Sequence, residues 1–318
     1  MNVFHDPELR ELAERLASPD PGLRRVAVLD LVDCPEPEAV TLLIQALRDP
    51  DPQVRQEAAK VVDEFESEDM ADALIAALND SDEVVRNAAA HALSDLKDPA
   101  AAKPLLAALE ESRDPFVVAG ILRALKPLRE PAAREPALAR LEAGDATIRR
   151  EAVGLLGWLK EERNLPALIQ RARDDDDAEV RRAAVGALVY AEPDSVAEAL
   201  RQVVSDPHWQ VRAEAMNSIA KLNHQDSLPL LIEATRDSTW QVREKAADAI
   251  GKLGRVEGIP ALGECSRDAM SNLRKAAIGA LGAIAHEQCR PYIQTALDDP
   301  DPDVRKLARW AQSKLSAA

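Results

Sequence analysis

One arginine recurs along this chain at a nearly fixed step: Arg24, Arg55, Arg86, Arg149, Arg181, Arg212, Arg243, Arg274 and Arg305. Adjacent members stand 31 or 32 residues apart, and the 63-residue interval from Arg86 to Arg149 holds two repeats, with Val118 in the skipped position. Three residues after the arginine stands alanine, from Ala27 to Ala308, with Ile121 the one departure. One residue before it stands Leu, Val or Ile, and seven after it is usually Leu or Ile. Positions −1, +3, +7 and +10 share one helical face, so each repeat contains a helix with a continuous apolar stripe. A unit this short cannot bury that stripe by itself, and stacking on its neighbours is what closes the core.

The start of that helix is also legible. Asp20, Asp51, Asp114 and Asp301 stand at the N-cap, followed by Pro21, Pro52, Pro115 and Pro302. Aspartate satisfies free backbone N–H groups there, and proline costs little at the first helical position. Before each cap lies another apolar stretch, such as LLIQAL, ALIAAL and PLLAAL, with Pro104, Pro136, Pro166, Pro229, Pro260 and Pro291 entering it in near-register. Each repeat is therefore helix A, a short acidic turn and helix B. Units such as DPDPQVRQEAAKVV, DSDEVVRNAAAHAL and DDDAEVRRAAVGAL resemble HEAT repeats of the phycobilisome-lyase-like class, and the resemblance runs from about Asp6 to Leu315. It implies an all-α, right-handed superhelix of about ten hairpins, a single solenoid over residues 1–318. Repeat four, about 99–127, lacks both the arginine and the alanine and carries Phe116. It reads as a hinge or as drift that packing tolerates.

Composition supports thin helical layers. Aromatic residues make up 3% of the chain, and the formal charge is −16. Nucleic-acid binding draws on Lys and Arg against phosphates, so this charge disfavours it. No apolar run approaches the roughly 20 residues of a membrane span, and the first residues carry no basic and apolar leader pattern. Cys34, Cys265 and Cys289 form no CxxC pair, which fits a reducing cytoplasm.

Chemistry-bearing motifs are sparse. The histidines His5, His91, His208, His224 and His286 form no HExxH or evenly spaced ligand set. Deoxyhypusine hydroxylases resemble this fold and hold a di-iron centre on repeated His-Glu pairs; here His286-Glu287 alone matches, too few for that site. The repeated Arg and turn Asp read as scaffold, tying the turn of one unit to helix B of another. No metal or cofactor is expected, and a non-catalytic scaffold or adaptor is.

Departures from the columns mark a candidate partner surface. In a HEAT solenoid helix B lines the concave side. Position +9, usually charged or polar, is Trp158 in repeat five and Tyr190 in repeat six. Four residues earlier stand Gly154 and Gly186, with Arg150 and Arg182 one turn before them. Mid-helix glycine costs about 1 kcal/mol relative to alanine, and a ring above a missing side chain makes a shallow hollow. Trp209 and Trp240 follow in matching WQVR sequences at position −3. Aromatic residues beside arginine dominate protein-binding hot spots; packing of the same rings on the next repeat is the competing reading. A second, weaker cluster is Lys60, His91 and Arg123, with Glu64 and Asp95 four residues after the first two. The expected function is to hold a protein partner on the concave surface. The alternative is a lyase-like or chaperone-like factor acting on a cofactor-bearing protein, which the family resemblance suggests.

Overall fold

A computed structural model describes residues 6–34, 37–62, 65 and 68–315, with the backbone alone at 37, 68 and 69. His5 and Glu64 lie outside the described residues. Twenty α-helices are present among the described residues, and no strand. They pair into ten hairpins and divide into two compact units, one ending at Leu159 and one beginning at Lys160, each with five hairpins.

The predicted columns form the core of each unit. Every residue at +3, from Ala27 through Ile121 to Ala308, is fully buried. Alanine there lets successive B helices approach closely, and B-on-B contact is more extensive than A-on-A. At −1, Val54, Val85, Val180, Val211, Leu273 and Val304 are equally buried. Leu23 is half exposed, because no described hairpin stacks before it. In repeat four Val118 and Ile121 fill the places of the missing arginine and alanine from within the core.

Helix B starts as its sequence dictates. Asp51 Oδ1 accepts from the N–H groups of Gln53 (2.8 Å) and Val54 (3.4 Å), and Asp114 does the same for Phe116 (2.9 Å) and Val117 (3.1 Å). Its end recurs eleven residues after the register arginine. Arg129, Lys160, Asn223, Gly254 and Ala285 all take the left-handed conformation that closes a helix. Only one of the five is glycine, so four carry the Cβ penalty of about 1–2 kcal/mol. Repeats three and six depart from this pattern: in repeat three the helix ends on an extended Leu96 (φ −61°, ψ 128°). In repeat six the eleventh residue, Glu192, precedes Pro193 and is held extended (φ −62°, ψ 132°). Helix Ala178–Ala187 accordingly stops early and a 3-10 turn, Leu188–Tyr190, follows it.

The repeated arginine builds a ladder along the turns. Arg24, Arg55, Arg181, Arg212 and Arg274 each place Nε and Nη2 on the two carboxylate oxygens of an aspartate in the next hairpin. The acceptors are Asp49, Asp80, Asp206, Asp237 and Asp299, at 2.6–3.1 Å. Nη1 of the same arginine reaches a carbonyl of its own turn, as Arg55 does to Asp49 O at 2.7 Å. Hydrogen bonding to Arg55 holds Asp80 below the usual carboxylate range, and Arg274 does the same for Asp299. Arg243 makes the looser link, Nη2 to Asp268 Oδ2 at 3.2 Å, with Nε buried and unpaired.

Candidate functional site

The predicted residues divide between the units. Arg150, Gly154 and Trp158 belong to the first, on helix Ala146–Leu159. Asp145 caps that helix through Thr147 N (2.7 Å) and Ile148 N (3.2 Å), which fixes the register of everything downstream. Trp158 comes in the last turn and is 48% exposed. Arg129, in its left-handed position at the end of the preceding helix B, lays its guanidinium over the indole with Cζ 5.6 Å from the ring centroid. A cation over an exposed ring contributes about 0.5–1 kcal/mol.

The space above Gly154 is filled rather than hollow. A Cβ built there stands 2.7 Å from Lys126 Nζ and 2.8 Å from Lys126 Cε. Lys126 crosses the glycine to reach Glu151 Oε2 at 2.5 Å. Glu151 Oε1 also accepts from Arg123 Nη2 (3.0 Å) and lies 3.4 Å from Arg150 Nη2. The carboxylate is 5% exposed. Burial pushes its pKa up, but the bonds from Lys126 and Arg123 outweigh that and hold it below the usual range. This buried ion cluster escaped the sequence reading, because its partners come from the previous repeat. Its signal was a glutamate at +2, two positions after Arg149, facing a lysine at +8 one repeat earlier.

In the second unit Arg182 pairs with Glu179 on its own helix, at 2.5 and 3.0 Å. Gly186 is again crossed by a neighbour, with Glu214 Oε1 3.3 Å from a built Cβ. Tyr190 lies on the 3-10 turn, half-buried, and its hydroxyl donates to Glu161 O at 3.2 Å. Desolvation and the nearby Glu161 carboxylate push its pKa up to about 12. Trp209 and Trp240 both stand at the first position of their B helices, Trp209–Leu222 and Trp240–Leu253. Trp209 is exposed and Trp240 half-buried.

The weaker cluster separates into local pairs. His91 Nδ1 meets Asp95 at 2.9 Å on an exposed helix face, Lys60 stands 3.8 Å from Glu57, and Arg123 serves Glu151. Grooves run along helix-B faces in both units. One of about 420 Å³ in the first unit is lined by Lys60, Val84, His91 and Asp95; one of about 660 Å³ in the second is lined by Asp248, Lys252, Lys275 and Gly279. Among the described residues no group of three or more His, Cys, Asp or Glu is arranged to hold a metal ion. No described helix is long and apolar enough to cross a membrane.

A family profile described as HEAT repeats matches residues 9–94, 42–126, 102–189, 197–271 and 259–317. No curated protein matches the sequence. Among solved structures, Kap121p is 14% identical with a TM-score of 0.57, over 98% of this chain and 41% of that one. Kap95p, in its complex with RanGDP, is 15% identical with a TM-score of 0.58, over 98% of this chain and 49% of that one. The chain thus spans less than half the length of either karyopherin. The CpcE–CpcF complex of phycocyanin lyase from Nostoc sp. PCC7120 is 20% identical with a TM-score of 0.44, over 77% of this chain and 94% of that one. At these identities the likeness to Kap121p and Kap95p is one of fold. The matched segments cover most of the chain and coincide with the stacked hairpins described above: this chain belongs to the HEAT-repeat family.

Proposed function

We propose that this chain is a non-catalytic scaffold or adaptor that holds a protein partner on the helix-B surface of its repeats. One observation carries the reading: Trp158 and Trp209 hold large apolar area open to solvent in a chain with few aromatic residues. Aromatic rings held rigid in this way are typical anchors of protein interfaces. Arg129 holds the Trp158 ring from one side, so little order remains to be lost on binding. The fold is one that other proteins use to hold partners; Kap121p has been solved bound to Pho4p and to Nup53p. Three buried free thiols fit a reducing, cytoplasmic setting.

The test is capture from a lysate of the source cells, identified by mass spectrometry, with wild type, Trp158→Ala and Trp209→Ala compared. A partner held by wild type and lost by either variant, at unchanged melting temperature, supports the reading. Equal capture by all three sinks the aromatic anchors. Recovery of a coloured, cofactor-bearing protein replaces the scaffold with the lyase-like alternative.

A further inference from the structure

We propose that Arg86 is an open carboxylate-binding site, built to take an acidic side chain of a protein partner. The argument begins from the ladder, in which the same guanidinium edge is occupied five times by both oxygens of an aspartate. That acceptor always stands six residues before the next register position, as Asp80 does before Arg86 and Asp237 before Arg243. Six residues before Val118 stands Ser112, whose side chain has no carboxylate to offer.

Arg86 nevertheless keeps the pose of a ladder arginine. Its Nη1 donates to Asp80 O (2.9 Å) and Ser81 O (3.1 Å), the same own-turn anchor that Arg55 and Arg212 use. Nε and Nη2, the two groups that grip aspartate elsewhere, hold no hydrogen bond among the described residues. The Phe116 ring lies beside the guanidinium, its centroid 5.9 Å from Cζ, and is 38% exposed. Two donors in a fixed fork are thus anchored from behind and flanked by an aromatic ring.

The ladder says which ligand such a fork takes. Paired N–H donors match the two oxygens of a carboxylate, and in this chain five arginines do so at 2.6–3.1 Å, with Arg243 making a single looser bond to Asp268. The cap residue Asp114 is no obstacle, since Asp51 and Asp82 occupy the same place beside the filled forks of Arg24 and Arg55. Arg113, exposed in the same turn, adds a second positive charge. Next to Phe116 a groove of about 260 Å³, lined by Pro115, Ala119, Arg123 and Thr147, leaves room for the residues that flank the acid. The inference rests on the protein-binding reading only for the source of the carboxylate; the site itself is testable with no partner in hand.

The probe is an acetylated and amidated peptide with the sequence of residues 47–54, whose third residue corresponds to the ladder acceptor Asp49. A counterpart with Asn in place of both Asp49 and Asp51, and inorganic phosphate, serve as the other arms. The readout is the Nε–H resonance of Arg86 in the full chain, assigned by its loss in Arg86→Lys. The expected result is a saturable shift with the aspartate peptide, about tenfold weaker with the asparagine peptide, and no movement of the Arg55 or Arg212 signals. Ser112→Asp places the Arg86 resonance among the ladder signals without peptide and abolishes the response. Circular dichroism establishes that this variant is folded; if it is not, the wild-type titration decides alone. An Arg86 signal indifferent to the peptide overturns the proposal. A response to phosphate that exceeds the response to the peptide overturns the carboxylate assignment, and a response only alongside every other arginine reduces it to general charge attraction. A carboxylate response with no partner ever captured leaves this site standing and removes the reading above it.

Discussion

Lys126 lies across Gly154, its Nζ 2.7 Å from where a β-carbon would be, and ends on the buried carboxylate of Glu151. The glycine is the clearance through which a lysine of one repeat reaches a glutamate of the next. Gly279 stands in the same register and has open space above it. The two positions therefore respond differently to one substitution. Gly279→Ala gains helix propensity and stabilises by about 0.5–1 kcal/mol. Gly154→Ala gives no such gain, because it displaces Lys126. Chemical denaturation of both variants measures the difference, and in a Lys126→Met background that difference closes.

Glu151 also fixes a pH dependence. Its folded pKa is depressed, so its stabilisation is present above the unfolded value of about 4.3 and is lost as pH falls through the folded one. Glu151→Gln leaves Lys126, Arg123 and Arg150 without their negative charge, turns an NH2 donor toward them in place of one oxygen, and destabilises by roughly 2 kcal/mol at pH 7. The gap between variant and wild type narrows below about pH 4. Denaturation midpoints at pH 7 and pH 3.5 check the sign, and a gap that widens in acid contradicts it.

At the other end of the pH scale, Tyr190 holds its proton with a pKa of about 12. A raised folded value means stability that is complete below the unfolded pKa of about 10 and is lost as pH rises through 12. Tyr190→Phe removes that alkaline loss while forfeiting one hydrogen bond to Glu161 O, worth about 0.5–1.5 kcal/mol at neutral pH. Melting curves at pH 8 and pH 11 separate the two effects.

Within the ladder, Arg181→Met is expected to cost more than Arg243→Met. Arg181 makes two bonds to Asp206, which the change leaves buried without its guanidinium and with only the His208 N–H as a hydrogen-bond donor. Arg243 makes one long bond to Asp268 and already hides an unpaired Nε. Loss of one partner from a well-buried pair costs about 3 kcal/mol, and the looser link about 1 kcal/mol or less. Equal losses in the two variants would show that the carbonyl anchors, and not the aspartates, supply the stability.

Ala285→Gly tests the helix ends. Ala285 is left-handed at φ 52° in the position where Gly254 takes φ 70° in the repeat before. Removing the β-carbon there raises stability by about 1 kcal/mol. The same change at Ala277, buried in a helix interior, lowers it by at least as much.

The columns were legible because packing repeats. An alanine at +3 meets the same surroundings in each hairpin, so its spacing alone predicts Ala27 through Ala308 as core. The ladder was half legible: the arginine and a turn aspartate could be seen, but where a turn holds two aspartates, as at 49 and 51, which one accepts is decided by backbone geometry. Asp49 takes the arginine while Asp51 caps the helix. The Glu151 cluster was hidden because four charges from two repeats read, in one dimension, as ordinary surface. Tyr190 was misjudged as an equivalent of Trp158 in helix position, although Pro193 was in view. A proline at that point denies repeat six the left-handed ending used by repeats five and seven, and the tyrosine turns with the shortened helix.

The ladder has a mechanical consequence. Within each unit its clamps sit along one edge, where helix A hands over to helix B, and each joins a hairpin to the one after it. That edge resists stretching much as the sewn spine of a book does, while the opposite margin has, among the described residues, only scattered links, such as Tyr190 to Glu161 O and His224 to Asp194. Flexing within either unit therefore pivots about the turns and changes the spacing of the helices away from them. At Arg86 one stitch is missing, so the first unit has a point in its spine where a guest carboxylate would tighten the binding.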